Sequence, residues 1–287
     1  MADHDGAIPI VPSVSEVAQA YPAWLVDVWG VIHNGVAPFA SAVSACQRRR
    51  QAGGVVVLIT NAPRPGPAVL SQLDRIGVPR DAFDGIVTSG DVARGLVTLW
   101  KDKAIHHLGP DRDLPLFADL GISFVPSTEA DIVVCTGLLD DETETPADYA
   151  QQLDALHRRG AVMVCANPDI TVERGDKIVY CAGALGEAFE AIGGAVLYAG
   201  KPHAPIYELA RKLIDDVAGR AVGSDEVLAI GDGIYTDIKG AAEVGIASLY
   251  VASAVNLSGG TLTPATLAEA FARSPDRPIA AVPQLAW

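Results

Sequence analysis

The chain has 287 residues, 49% of them hydrophobic and 20% charged, enough apolar material for a sizeable core beneath a water-facing surface. Its formal net charge of −14 excludes a general nucleic-acid binder, because no dense basic surface is available for a phosphate backbone. Arg48, Arg49 and Arg50 are the only basic cluster, and they read as a solvated helix end that complements the helix dipole. Cys46, Cys135, Cys165 and Cys181 lack any CxxC spacing; the last three stand in apolar surroundings and read as buried thiols, not zinc ligands. Asp3 and Asp5 occupy the place where a signal peptide carries positive charge, and apolar stretches such as Val55 to Ile59 are too short to span a bilayer. The expectation is a reduced, cytoplasmic protein that engages neither membrane nor nucleic acid.

In chain order, the first strand is predicted from Trp24 to Val28 and carries Asp27 at its carboxyl end. A helix from Ser41 to Gln51 stops at Gly53-Gly54, and the next strand, Val55 to Ile59, ends at Thr60-Asn61. Gly85 to Thr88 is a third strand. A section of small-domain length follows, from about Ser89 to Val196, with strands at Ile132 to Cys135 and Val162 to Cys165 and a helix from Ala147 to Arg159. The final third returns to alternation: a helix from Ile206 to Val217, a strand from Glu226 to Ile230, a helix from about Asp237 to Val244, and a strand from Ile246 to Val251. Pro264 to Arg273 is the last helix, with Thr263 as its N-cap. The first dozen residues and Ser253 to Leu262 read as loops. Alternating strands and helices predict an α/β fold with a mostly parallel sheet.

Polar residues at strand carboxyl ends are where open α/β sheets build their sites. Asp27 there can be a nucleophile, a metal ligand or a helix cap. Thr60-Asn61 offers a hydroxyl and backbone N–H groups to a phosphate oxygen, or caps a helix. Lys201, in Ala199-Gly200-Lys201-Pro202, can neutralise Asp27 and an incoming phosphoryl group, or serve as a surface lysine. In Ile230-Gly231-Asp232-Gly233-Ile234-Tyr235-Thr236-Asp237, glycines flank Asp232 and let the backbone approach an ion. Asp232 therefore reads as a Mg²⁺ ligand, and Asp237 as a ligand, a partner of Lys201 or a cap.

Together these segments resemble the haloacid-dehalogenase (HAD) superfamily of aspartate-nucleophile hydrolases over nearly the whole chain. The insertion between the Thr60 and Lys201 segments looks like class IIA, the NagD-like and para-nitrophenyl-phosphatase group. Val87-Thr88-Ser89-Gly90, Ala166-Asn167-Pro168-Asp169 and Gly240-Ala241 are further class features. The resemblance implies a Rossmann-like three-layer core made of residues 1–88 and 197–287, with residues 89–196 as an inserted α/β cap domain of the C2 type. It implies an Mg²⁺-dependent phosphatase of small phosphorylated metabolites, and a possible homodimer. Asp27 would become an aspartyl phosphate, while Thr60, Asn61 and Lys201 hold the phosphoryl group and the nucleophile. The metal would lie between Asp27, Asp232 and the backbone carbonyl of Trp29, with Asp237 nearby. Gly30 and the cap loop of Asn167 and Asp169 would contact the substrate.

One residue departs from the pattern. Phosphatases of this family read Asp-x-Asp-Gly, and the second Asp protonates the leaving alcohol and then activates water. Here that place holds Trp29, which exchanges no proton at neutral pH and is bulky on the leaving-group side. Substrates with good leaving groups, acyl phosphates among them, are expected to suffer least from its loss. His33 reads either as a surface loop histidine or as a substitute proton carrier at the substrate. Ala62-Pro63 also departs from the usual polar residues, and Arg64 is a candidate contact for an anionic substrate. Two other readings accompany the phosphatase: a non-catalytic phosphate-ligand binding or regulatory protein, and a metal-independent dehalogenase-type reaction.

Overall fold

The computed structural model describes residues 7–174, 177–252 and 261–287. Residues 1–6 and 253–260, which hold half of the first predicted loop and most of the second, lie outside the described residues. The chain divides into two compact units: Met1–Thr60, Leu70–Val87 and Tyr207–Trp287 form the first, and Asn61–Val69 with Thr88–Ile206 form the second.

In chain order the strands are β1 (Ala23–Asp27), β2 (Val55–Thr60), β3 (Gly85–Thr88), β4 (Ile105–Leu108), β5 (Ile132–Cys135) and β6 (Val162–Cys165). They continue with β7 (Thr171–Arg174), β8 (Lys177–Tyr180), β9 (Ala195–Tyr198), β10 (Val227–Gly231), β11 (Ala247–Val251) and β12 (Ala280–Val282). The first sheet has the order β12-β11-β10-β1-β2-β3. Its central strands β1 and β10 are buried along their whole length, which is why they read as unbroken apolar runs rather than as alternating ones. Trp24 is fully buried in β1, and its indole meets the Trp287 ring at a centroid distance of 6.2 Å.

The second unit has its own sheet, β4-β5-β6-β9, parallel throughout, and the separate antiparallel pair β7-β8. Alternate residues of its strands point to opposite faces and feed two cores. Val133, Cys135, Met163 and Cys165 pack with Leu153, Leu156, Leu185 and Phe189. Ile132, Val134 and Val164 pack with Ala93, Val97 and Leu116. This is the mostly parallel α/β architecture that the sequence predicts.

Several elements escape the sequence pattern for physical reasons. β4, Ile-His-His-Leu, puts two histidines in the middle of a strand, and β12 is only three residues long. The helix Ala182–Ala191 contains two glycines and lies against Tyr198, whose ring would have to give way slightly to a side chain at Gly186. The helix predicted to begin at Asp237 starts earlier, as a π-helical turn over Ile234–Ile238 that continues into Lys239–Glu243. The arginine cluster is a correction as well. Arg49 is buried and donates from Nη1 to the Ala18 carbonyl at 3.2 Å, and Arg50 pairs with Asp84 at 2.6 Å. Only part of the cluster is therefore a solvated helix end. All four cysteines are buried and free, Cys46 included.

Candidate active site

In the first sheet the chain order runs one way from β1 through β2 to β3, and the other way from β10 through β11 to β12. β1 and β10 are thus parallel neighbours at the point where the order reverses, with Val26 opposite Ile230. The carboxyl ends of strands at such a reversal are the usual place for a ligand in an open parallel sheet. Asp27 is the last residue of β1, and Asp232 follows the last residue of β10.

Asp27, Asp232 and Asp237 each bring one carboxylate oxygen within 4.8 Å of the other two. Asp27 and Asp237 are buried and Asp232 is half-buried. Three carboxylates this close, away from water, repel one another and favour a cation between them. The donors are all hard oxygens, and Mg²⁺ takes one or two carboxylates with waters and substrate oxygens. The residues present therefore fit a divalent cation of that kind.

Local backbone chemistry holds these groups in place. Gly30 has φ +84°, and a side chain built on it would strike the Asp232 carboxylate. Gly231 is pressed against Asp237 in the same way, and Gly233 against Thr236. The Gly233 N–H donates to Asp237 Oδ2 at 3.1 Å, so Asp237 closes its own π-helical turn while keeping a carboxylate in the cluster. Buried Tyr207 directs its hydroxyl at the Thr236 and Asp237 carbonyls, at 3.4 and 3.5 Å. A side chain at Gly240 would meet that hydroxyl, which is why a glycine belongs there. Replacing Gly30 by Ala is expected to displace Asp232 and weaken divalent-cation binding at least tenfold, read by calorimetric titration with Mg²⁺. Undiminished affinity would show that the Asp232 carboxylate does not take part.

The loop after β1 is tight. The Ile32 and His33 N–H groups both donate to the Val28 carbonyl, at 2.9 and 3.2 Å, and the Gly30 N–H donates to the His33 carbonyl at 2.9 Å. Trp29 lies over Gly35, where the six-membered ring of its indole leaves no space for a side chain. The His33 ring meets the indole edge-on, at 5.5 Å and 85°. Trp29 remains 39% exposed, a large aromatic surface fixed two residues beyond Asp27.

His33 is not the surface histidine that its loop suggests. It is 2% exposed, its Nδ1 accepts the Gly35 N–H at 2.9 Å, and burial lowers its pKa to about 4. At neutral pH it is an uncharged imidazole whose Nδ1 lone pair is engaged, which makes it a poor proton donor. Its unfolded value is near 6.5, so the unfolded chain binds more protons between that pH and about 4. Stability is therefore lost as pH falls from 6.5 towards 4. His33→Asn can still accept from Gly35 but cannot be protonated, and its melting temperature is expected to fall less steeply across that window. Parallel curves for the two proteins would remove His33 from the acid response.

The second unit gathers another set of sequence-remote residues. Asn61 Nδ2 donates to Asp169 Oδ1 at 2.9 Å and to the Lys201 carbonyl at 3.0 Å, while its Oδ1 accepts the Lys201 N–H at 2.7 Å. Asn61 thus clips the Lys201 backbone from both sides, a task that needs a side chain with both donor and acceptor. Asn167 Oδ1 accepts the Asp169 N–H at 3.1 Å and shapes that loop. Gly200 is packed against Asn61, Pro168 and Ser89, so any side chain there would spread the arrangement. Lys201 is buried, not a surface lysine, and Thr60 is buried at the end of β2, beside β1. Arg64 is half-buried. The sequence alone does not reveal the Asn61 clip, because Asn after a strand also reads as a helix cap.

Residues 24–123 match a family model described as haloacid dehalogenase-like hydrolase, and residues 198–285 match one described as HAD-hydrolase-like. A crystal structure of a hydrolase of the haloacid dehalogenase-like family from Brucella suis 1330 shares 42% identity, covering 96% of this chain and 100% of that one, with a TM-score of 0.86. This chain belongs to the haloacid dehalogenase-like hydrolase family. The HAD hydrolase also shares its fold with a possible sugar phosphatase from Cytophaga hutchinsonii, at 19% identity and TM-score 0.79 over 96% of this chain and 98% of that one. NagD from Escherichia coli K-12 matches at 20% identity and TM-score 0.68, over 93% of this chain and 98% of that one. The fold of this HAD hydrolase is that of class IIA. A comparison with curated protein sequences finds no match. Among the described residues, no helix is long and apolar enough to cross a membrane.

Proposed function

We propose that this HAD hydrolase is an Mg²⁺-dependent phosphatase of small phosphorylated metabolites, restricted by Trp29 to substrates that need little help from a general acid. The observation that carries the reading is the trio Asp27, Asp232 and Asp237, within 4.8 Å at the switch point of the first sheet. Asp27 Oδ attacks phosphorus and the bond to the leaving oxygen breaks, so that oxygen departs with the electron pair. Water then attacks the aspartyl phosphate, releasing inorganic phosphate and restoring the Asp27 carboxylate. Thr60 and Lys201 hold the phosphoryl oxygens, and Asn61 fixes the backbone that carries Lys201. The cation would be held by Asp27, Asp232 and the Trp29 carbonyl, with Asp237 beside them. When bound, it neutralises negative charge on the phosphoryl group.

Neither Trp29 nor neutral His33 supplies a proton to the leaving oxygen. Acyl and aryl phosphates, whose carboxylate or phenolate departs as a stable anion, are the expected substrate class. The test is phosphate release from a phosphometabolite panel that includes an acyl phosphate, with and without Mg²⁺. Turnover that requires Mg²⁺ supports the proposal, whereas activity surviving EDTA points to metal-independent chemistry. Ligand binding without turnover would assign the chain to the phosphate-binding, non-catalytic reading that Trp29 also favours.

A further inference from the structure

The loop after β1 is built around one exposed aromatic ring. Residues 29–39 fold back on themselves: Trp29 bridges to His33, His33 bridges to Pro38, and the Phe39 N–H donates to the Ile32 carbonyl at 2.8 Å. Asn34 ties the tip, its Oδ1 accepting the Val36 and Ala37 N–H groups at 3.0 and 2.9 Å. This path brings Gly35 against the six-membered ring of Trp29, where a φ of +88° and the lack of a side chain are both needed. The His33 ring meets the indole edge-on and is itself pinned by the Gly35 N–H. The indole thus has two fixed neighbours and little freedom to turn. All of these residues belong to the first unit.

An indole that only filled the loop would be buried, as Trp24 is in β1. Trp29 instead keeps 39% of its surface open. Single exposed apolar side chains are ordinary, but this one is held rigid beside the acidic trio. Its neighbour Gly30 lies so close to the Asp232 carboxylate that no side chain fits between them, and Asp27 stands two residues before it. The side-chain freedom that an aromatic contact ordinarily costs has therefore been given up in folding. What a clamped indole offers is a flat π-surface on which another ring can stack. The missing acid points the same way. Leaving groups that depart unprotonated are carboxylates and phenolates, and those that carry an aromatic ring are flat right next to the scissile bond.

We propose that Trp29 is a specificity residue that stacks on an aromatic ring of the leaving group. The substrate is then an aroyl or aryl phosphate, whose ring begins one or two bonds from the departing oxygen. This rests on the phosphatase reading given above.

Benzoyl phosphate and cyclohexanecarbonyl phosphate test it, because their leaving carboxylates are similar in size and basicity and differ in flatness. The wild type is expected to favour the benzoyl compound about threefold or more in KM, with similar kcat, the scale of one aromatic contact. Trp29→Leu should abolish that preference by weakening the benzoyl compound alone, and Trp29→Phe should keep part of it. A wild type without preference, or a preference that survives Trp29→Leu, overturns the proposal. Melting curves check that the variants fold. Should Trp29→Leu not fold, a preference absent from the wild type, or undiminished in Trp29→Phe, overturns it instead. If neither compound is hydrolysed, the phosphatase reading fails separately. Calorimetric binding of benzylphosphonate and cyclohexylmethylphosphonate, whose carbon–phosphorus bonds resist hydrolysis, then decides the role of Trp29 by the same preference and the same variants.

Discussion

Replacing Asp27 by Asn is expected to reduce Mg²⁺-dependent phosphate release by about a thousandfold or more, the scale seen when a covalent nucleophile is removed. Asn is close in size to Asp, so the fully buried β1 strand and its pairing with β10 should survive. The change removes both the attacking oxygen and one of three converging negative charges. Two measurements separate those losses. Mg²⁺ affinity reports the missing charge, while a single-turnover reaction with an acyl phosphate reports the missing nucleophile. Wild-type protein quenched during turnover should carry an acid-stable phosphoryl label that the variant lacks. Full activity in the variant would exclude the aspartyl phosphate and with it the assignment of Asp27.

The second large effect concerns Trp29. Restoring a carboxylate by Trp29→Asp is expected to raise turnover of alkyl phosphates by ~10²–10⁴, the usual worth of a positioned acid–base group. Acyl phosphates should gain much less, because their leaving group needs no proton. The dependence on leaving-group basicity, plotted for both proteins, should therefore be shallower in the variant. The substitution also removes an indole that packs on Gly35 and against His33. A melting curve is needed to show that the loop has kept its fold. A folded, Mg²⁺-binding variant with no gain on alkyl phosphates would mean that this pocket is shaped for another task.

The convergence of Asp27 and Asp232 could be read from the sequence because each follows a buried apolar run, and a parallel sheet places such residues on one edge. Asp27 and Asp232 were legible for that reason. The cluster role of Asp237 was not separable from capping, and the structure shows why: its carboxylate accepts the Gly233 N–H and still converges on the other two. His33 was misread because loop position says little about depth; the backbone bonds to Val28 fold that loop inward. The Asn61 clip on Lys201 joins residues far apart in sequence and leaves no periodic trace.

The pairing of β1 with β10 sets Ala23 opposite Val227, about two hundred residues further along the chain. On the ribosome, at ~5–20 residues per second, β10 emerges on the order of 10–40 s after β1. Throughout that interval Trp24, Leu25 and Val26 form one side of an unfinished sheet, an apolar edge that invites other strands. The second unit, with its short-range parallel strands, is synthesised in between and can complete its own fold first. Catalytic competence is thus acquired only near the end of synthesis. A truncated chain that stops before Val227 keeps Asp27 but presents it on a sticky, half-built sheet, a natural target for chaperones and proteases.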